Sequence, residues 1–229
     1  MPTPKAEARA RTIKMAFFVG IVPEPIERHN MLLSCSARLP LTFRPATTED
    51  IAHLVLFADM ATRRLVSFLW GVAAVPGQSV CEVGRNVILH DEQHFTHFTN
   101  WRVAEYKGRI VGGLNCYVIP DMSGVVASTE VVKPLNELKA IATGTFYISS
   151  AAIYPEHQGK GCGKALLTEA ETQARSTNHN RLTLMVGSFN GRAHGLYLES
   201  GFREWSRRPF APFIGSDDPG EWILMVKDL

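Results

Sequence analysis

A strand-like run, F-Y-I-S-S-A-A-I at residues 146–153, leads through Tyr154 and Pro155 into Q-G-K-G-C-G-K at residues 158–164, and a stretch of good helix formers follows at 165–175. Glycines let a backbone come close to a ligand, the amides of such a turn point one way, and the dipole of the following helix favours negative charge. Gln158, Gly159, Lys160, Gly161, Cys162, Gly163 and Lys164 are therefore expected to hold a pyrophosphate. Further on, a second apolar strand enters N-G-R-A-H-G-L-Y-L-E-S-G-F at residues 190–202. There Asn190 is a natural helix cap, and Ala193 and Tyr197, four apart, share one helix face. A third grouping competes with these two. His90, His94 and His97 would lie on one face of an expected helix, as metal ligands do. In H-D-E-Q-H, however, Asp91 stands where the zinc hydrolases of H-E-x-x-H type carry glutamate. A metal-dependent hydrolase using the three histidines remains an alternative; a polar outer helix face is the ordinary explanation.

Elements must place these residues. Residues 41–45 read as a short edge strand ended by Pro45. Thr47 and Asp50 then give a helix start, and Ile51, Leu54, Val55, Ala58, Ala61, Leu65 and Phe68 follow at helical spacing. P-G-Q-S at 76–79 is a break, after which a second helix is expected from Cys81 to about Phe98. Residues 101–106 and 110–119 read as a hairpin turned at 107–109, followed by a mixed segment, 120–143, with a short helix near 135–140. The strand at 146–153 and the helix behind the glycine turn come next. A buried strand at 181–186, a helix at 190–200 ended by Gly201, and strands at 202–207 and 222–226 complete the chain. Strand–helix alternation asks for some parallel pairing and the hairpins for antiparallel pairing, so one mixed sheet is expected.

Apolar residues make up 45% of the 229, charged ones 20%, and the formal charge is +2, which suits a globular chain and calls for neither nucleic acid nor a membrane surface as partner. Cys35, Cys81, Cys116 and Cys162 form no C-x-x-C pair, so a zinc knuckle or redox motif is not indicated, and the usage fits a reducing compartment. No apolar run approaches the roughly 20 residues needed to span a bilayer. Lys5, Arg9, Arg11 and Lys14 precede a short apolar run broken by Pro23 and Pro25. Residues 1–40 are read as a disordered extension, with a mitochondrial address or a start at Met31 left open, and 41–229 as one domain. The expected location is cytoplasmic.

Together, the two glycine- and tyrosine-bearing segments resemble the GNAT superfamily of N-acetyltransferases, over residues 41–229. Its Q/R-x-x-G-x-G/A signature is met by Gln158, Gly161 and Gly163. Its companion N-x-x-A-x-x-L-Y-x-x-x-G-F is met by Asn190, Ala193, Leu196, Tyr197, Gly201 and Phe202. The resemblance implies an α/β fold with a mixed six- to seven-stranded sheet flanked by helices, acetyl-CoA as co-substrate and no metal. It implies that the amides of residues 158–164 bind the pyrophosphate, with charge added by Lys160 and Lys164. Ala152 and Ile153 would pair their backbone with the pantetheine arm as an added strand does, while Asn190 and Ala193 line its other side. Tyr197 would point its hydroxyl at the thioester sulfur.

The implied reaction is direct attack by a primary amine in a ternary complex. An alkyl amine of pKa about 10.4 is neutral in roughly one molecule in 2,500 at pH 7, a penalty near 4.6 kcal/mol that a base or a dry site must offset. Several family members use a glutamate in the strand before the turn; by register Tyr147 stands there, on the acceptor side. Glu137 and Glu130 are the candidate bases, acting through water. A thiolate near pKa 8.5 facing a tyrosine near 10 makes full proton transfer uphill by about 2 kcal/mol, so Tyr197 is a hydrogen-bond donor first. The acceptor, a small-molecule or protein amine, is not specified, nor is the choice between monomer and homodimer. A non-catalytic acyl-CoA sensor on the same fold is the second reading.

Overall fold

The structure is a computed structural model that describes residues 39–216 and 219–229. The basic start, Met31 and all but the last two residues of the expected extension lie outside the described residues. Among the described residues, β1 (Thr42–Pro45), β2 (Trp101–Tyr106), β3 (Arg109–Val118), β4 (Phe146–Ile153), β5 (Arg181–Gly187), β6 (Arg203–Pro209) and β7 (Glu221–Asp228) form one sheet. Its order is β1-β2-β3-β4-β5-β7-β6. All neighbours are antiparallel except β4 and β5, so the sheet is mixed, as the strand and helix order requires.

Six α-helices accompany it among the described residues: α1 (Ile51–Ala61), α2 (Leu65–Ala73), α3 (Val80–His90), α4 (Lys133–Ile141), α5 (Cys162–Ser176) and α6 (Gly191–Glu199). Strand alternation sends side chains to two opposed cores. Val103 and Ala152 meet Leu54, Phe57 and Ala58 of α1, whereas Ala104 and Ile153 meet Leu166, Leu167 and Ala170 of α5. Helix α6 lies against the second of these cores through Ala193, Leu196 and Tyr197. No helix among the described residues is long and apolar enough to cross a membrane.

Two helix expectations are corrected. The helical spacing from Ile51 to Phe68 hides a break: Arg63 and Arg64 take left-handed backbone angles (φ 49° and 72°), and the chain restarts as α2. The Thr62 hydroxyl holds the joint, donating to the Ala58 carbonyl (2.8 Å) and accepting from the Val66 amide (3.3 Å). The second helix ends at His90, not near Phe98. Beyond it the chain runs through short turns in which His94 Nδ1 bonds the Thr96 hydroxyl (2.7 Å) and His97 Nδ1 the Thr99 hydroxyl (2.8 Å). Local side-chain bonding of this kind competes with helix continuation. The shared helical face that would make His90, His94 and His97 a metal triad therefore does not exist.

Candidate active site

The site grows from an irregularity in β4. Opposite β3, Asn115 faces Ser150 while Cys116 faces Ile148, which leaves Ser149 as an extra residue, a bulge. Bulges bend a strand and increase its twist. On its other side β4 pairs with β5 only over Phe146–Ile148 and Leu182–Leu184. Past Leu184, β5 stays with β7 through Gly187, and β4 stays with β3 through Ile153. Two strands that begin as neighbours thus part, and among the described residues the β5-facing edge of β4 beyond the bulge has no strand beside it.

A groove of about 380 Å³ opens at this parting. Ile153, Gln158, Gly159, Gly161, Cys162, Gly163, Lys164, Asn190, Ala193 and Tyr197, all singled out from sequence, line this one groove. Gly159 and Gly161 take φ of 75° and 76°, angles that favour glycine, and Gly161 is the cap from which α5 starts. The first backbone bond of α5 runs from the Ala165 amide to the Gly161 carbonyl, so the amides of Cys162, Gly163 and Lys164 stand free at the helix N-terminus. A Cβ on Gly163 would come within 2.9 Å of Leu196 Cδ2, so glycine there lets α6 close on α5. The Gln158 side-chain amide donates to the Ile153 carbonyl (3.0 Å), tying the turn to the end of β4. Asn190 caps α6 by accepting from the Ala193 amide (3.3 Å).

One expected side chain, Lys160, is not brought to the groove; Ala152, expected there through its backbone alone, turns its side chain to the opposite core. Lys160 turns its ammonium onto the Glu156 carbonyl (2.8 Å), and its own carbonyl accepts from the Leu39 amide (3.3 Å). Lys164 lines the groove, and so does Arg192, with Nη2 3.8 Å from where a Gly159 Cβ would stand. The place of Arg192 two residues after the Asn190 cap, in the first turn of α6, was a legible signal that spacing alone passed over. Cys162 is buried in the α5 core, where burial pushes its thiol up, the inert reading rather than the reactive one. Tyr197 carries its phenol into the groove wall, and burial pushes it up to about 12.

A second cavity of about 550 Å³ lies among α2, α3, α4 and the bulged part of β4. Ser149 and Ser150 line it while Ala151 and Ile153 line the groove, so the bulged strand is a wall common to both. Tyr147 lines the second cavity, edge-on to Tyr117 at 5.5 Å, and burial holds its phenol well above the usual range. The expected bases are elsewhere. Glu137 lines neither cavity, and its carboxylate accepts from Arg208 Nε at 2.6 Å. Glu130 is exposed beside Lys133, at 3.8 Å. Among the cavity's side chains, the titratable ones are His94, Lys139 and Tyr147. His94 stacks on Phe95 (4.4 Å), and burial holds its ring below the ordinary 6.5.

The model of the acetyltransferase (GNAT) family matches residues 73–202, more than half of the chain. Among solved structures, the chain resembles the ribosomal-protein-S18-alanine N-acetyltransferase of Escherichia coli, with 18% identity, a TM-score of 0.52, and 82% of this chain and 94% of that one covered. The ribosomal-protein-alanine N-acetyltransferase of Brucella melitensis gives 19%, 0.52, 82% and 99%. YncA of Salmonella typhimurium, solved with its cofactor acetyl-CoA, gives 19%, 0.53, 83% and 94%. At these identities the likeness is one of fold. No curated protein matches the chain at a significant level.

Proposed function

Since the chain belongs to the acetyltransferase (GNAT) family, we propose that it transfers the acetyl group of acetyl-CoA to a primary amine within a ternary complex. The observation that carries this reading is the parting of β4 from β5 directly before the glycine turn. An unpaired strand edge, free helix amides and an arginine in one groove suit a ligand that is amide-bearing at one end and a diphosphate at the other. The amides of Cys162, Gly163 and Lys164, with Arg192, would hold the phosphates, and the open edge of β4 the pantetheine arm. When bound, acetyl-CoA supplies an acetyl thioester, a carbonyl open to attack by a neutral amine.

The chain's own residues would manage the protons. His94, neutral near pH 7 because burial lowers its pKa, can accept one from the attacking nitrogen, directly or through water. Tyr197 keeps its own proton and presents it as a hydrogen bond where sulfur charge develops. The acetyl carbon then gains a bond to nitrogen and loses its bond to sulfur, which leaves as a thiolate. His94 gives the proton it took to solvent and the thiolate takes one up from solvent, so the products are an amide and a free thiol.

Titration with acetyl-CoA followed by a thiol-release screen across amine classes tests the proposal. A thermal shift with thiol release in the presence of one amine class is expected; no shift at millimolar acetyl-CoA would defeat it. Among the described residues no carboxylate lines the second cavity, which favours one other reading, a non-catalytic acyl-CoA sensor. A shift without release from any amine would give that reading precedence.

A further inference from the structure

We propose that the second cavity selects an apolar amine bearing a carboxylate, and that the Lys139 ammonium is the carboxylate's partner. The inference rests on the acetyl-transfer reading for the reaction, but its content is binding. The wall is mostly hydrocarbon and indole, from residues such as Leu65, Leu69, Trp70, Val83 and Leu135, and its volume lies in the usual range for small-molecule sites. Among the described residues, no Asp, Glu or Arg lines it. Lys139 enters from α4 over the rings of Phe95 (4.7 Å), Tyr117 and Tyr147 (both 5.9 Å). Ring faces attract a cation but leave its three N–H donors unused. Among the described residues Lys139 Nζ forms no ion pair or hydrogen bond, and burial pushes the ammonium down to about 8, so it is still mostly charged at neutral pH.

An ammonium without a counter-ion in an apolar wall is a cost that an anionic ligand removes. Two other wall residues add to the imbalance. Thr129 Oγ1 and Trp222 Nε1 are buried without a partner among the described residues, and an indole N–H can only donate. The cavity therefore holds surplus donors, one surplus positive charge and no acid. A polyamine or a lysine side chain would bring a second cation into that field. A hydrophobic amino acid, or another apolar amine with an acid group, brings the missing charge and a body that fits the walls. Its nitrogen is acetylated as above, with the proton passing to His94 and the carboxylate unchanged.

Binding measured by calorimetry, without acetyl-CoA, separates this proposal from the transfer reading. Leucine, methionine and phenylalanine are each compared with the matching amine that lacks the carboxylate, and with spermidine. At least one acid is expected to bind about tenfold or more tightly than its decarboxylated partner, the scale of a charge-assisted pair. In Lys139→Met that advantage should vanish; Lys139→Gln repeats the test, and an unchanged acetyl-CoA thermal shift certifies the fold of each variant. Parity in the wild type, tighter binding of spermidine, no saturable binding of any acid, or a preference that survives in both variants would overturn the proposal. Loss of acetyl-CoA binding with the acid preference intact would instead count against the transfer reading alone.

Discussion

At the scale of single residues, Tyr197 and His94 are the groups proposed to manage the protons, and Tyr197 differs from its sequence-based expectation in its pKa. Tyr197, taken at pKa near 10, left proton donation to sulfur uphill by a little; at about 12 the step to an exposed thiolate is uphill by about 5 kcal/mol. A hydrogen bond is what this phenol can offer. Tyr197→Phe should therefore lower kcat roughly tenfold to a hundredfold while the Kd of acetyl-CoA changes less than about twofold, as read by steady-state kinetics beside a binding titration. Unchanged kcat would remove Tyr197 from the mechanism. For His94 the sign follows from burial: the folded ring binds its proton only below the ordinary 6.5, so turnover should fall as pH drops beneath that value. His94→Gln should abolish this acid limb and cost about a hundredfold in kcat. An acid limb that persists unaltered in His94→Gln would assign it to another group. Tyr197 and Asn190 were legible because their spacing is itself the motif. His94 was visible only as one of three helix-spaced histidines, and its place in the cavity wall depends on α3 ending at His90 and on the turns that follow, which no periodicity reports.

At the scale of elements, the chain signals its starts better than its breaks. The Thr47–Asp50 start is confirmed: the Asp50 carboxylate accepts from the Thr47 amide (2.7 Å) and takes both Nη groups of Arg44 (2.7 and 2.9 Å), which pins β1 to the head of α1. Arg44 holds that carboxyl down to about 2. A folded-state pKa below the unfolded value contributes stability above about 3.8, and the contribution is lost as pH falls through about 2. Asp50→Asn should cost about 1 kcal/mol near neutrality, the figure being reduced for solvent screening of the partly exposed Arg44. Chemical denaturation at pH 7 and pH 2 checks it: the two proteins should differ at the first and converge toward the second, and a constant difference would refute the linkage. The α1–α2 break left no comparable trace, since Arg63 and Arg64 are ordinary helix formers forced into left-handed angles by the turn over the second cavity. The glycine turn was legible for the opposite reason. Gly161 is there because φ of 76° favours it, so Gly161→Glu should strain the cap, repel phosphate and abolish acetyl-CoA binding. Retained affinity in a folded Gly161→Glu protein would refute the cradle.

At the scale of the whole molecule, the proposed function depends on β4 and β5 parting within one sheet. β4 and β5 can separate because each has a second partner, β3 and β7, that holds it to the end of the gap. The parting follows from a bulge at Ser149 and from long-range pairing, so sequence-local patterns cannot state it; two serines inside an otherwise apolar strand were its only trace. An open edge within a sheet is a liability unless something covers it. The helices leave the groove open at this edge, and the proposed occupant is an amide-bearing ligand that would complete the strand pairing. Hydrogen exchange can read this directly. Among β4 amides that face the gap, those in residues 149–153 should slow by more than about tenfold on adding acetyl-CoA, because each gains a partner that the free protein lacks. Amides in residues 146–148, already paired with β5, should change little. Uniform slowing along all of β4 would mean general stabilisation by ligand rather than strand completion, and no slowing in 149–153 would place the ligand elsewhere.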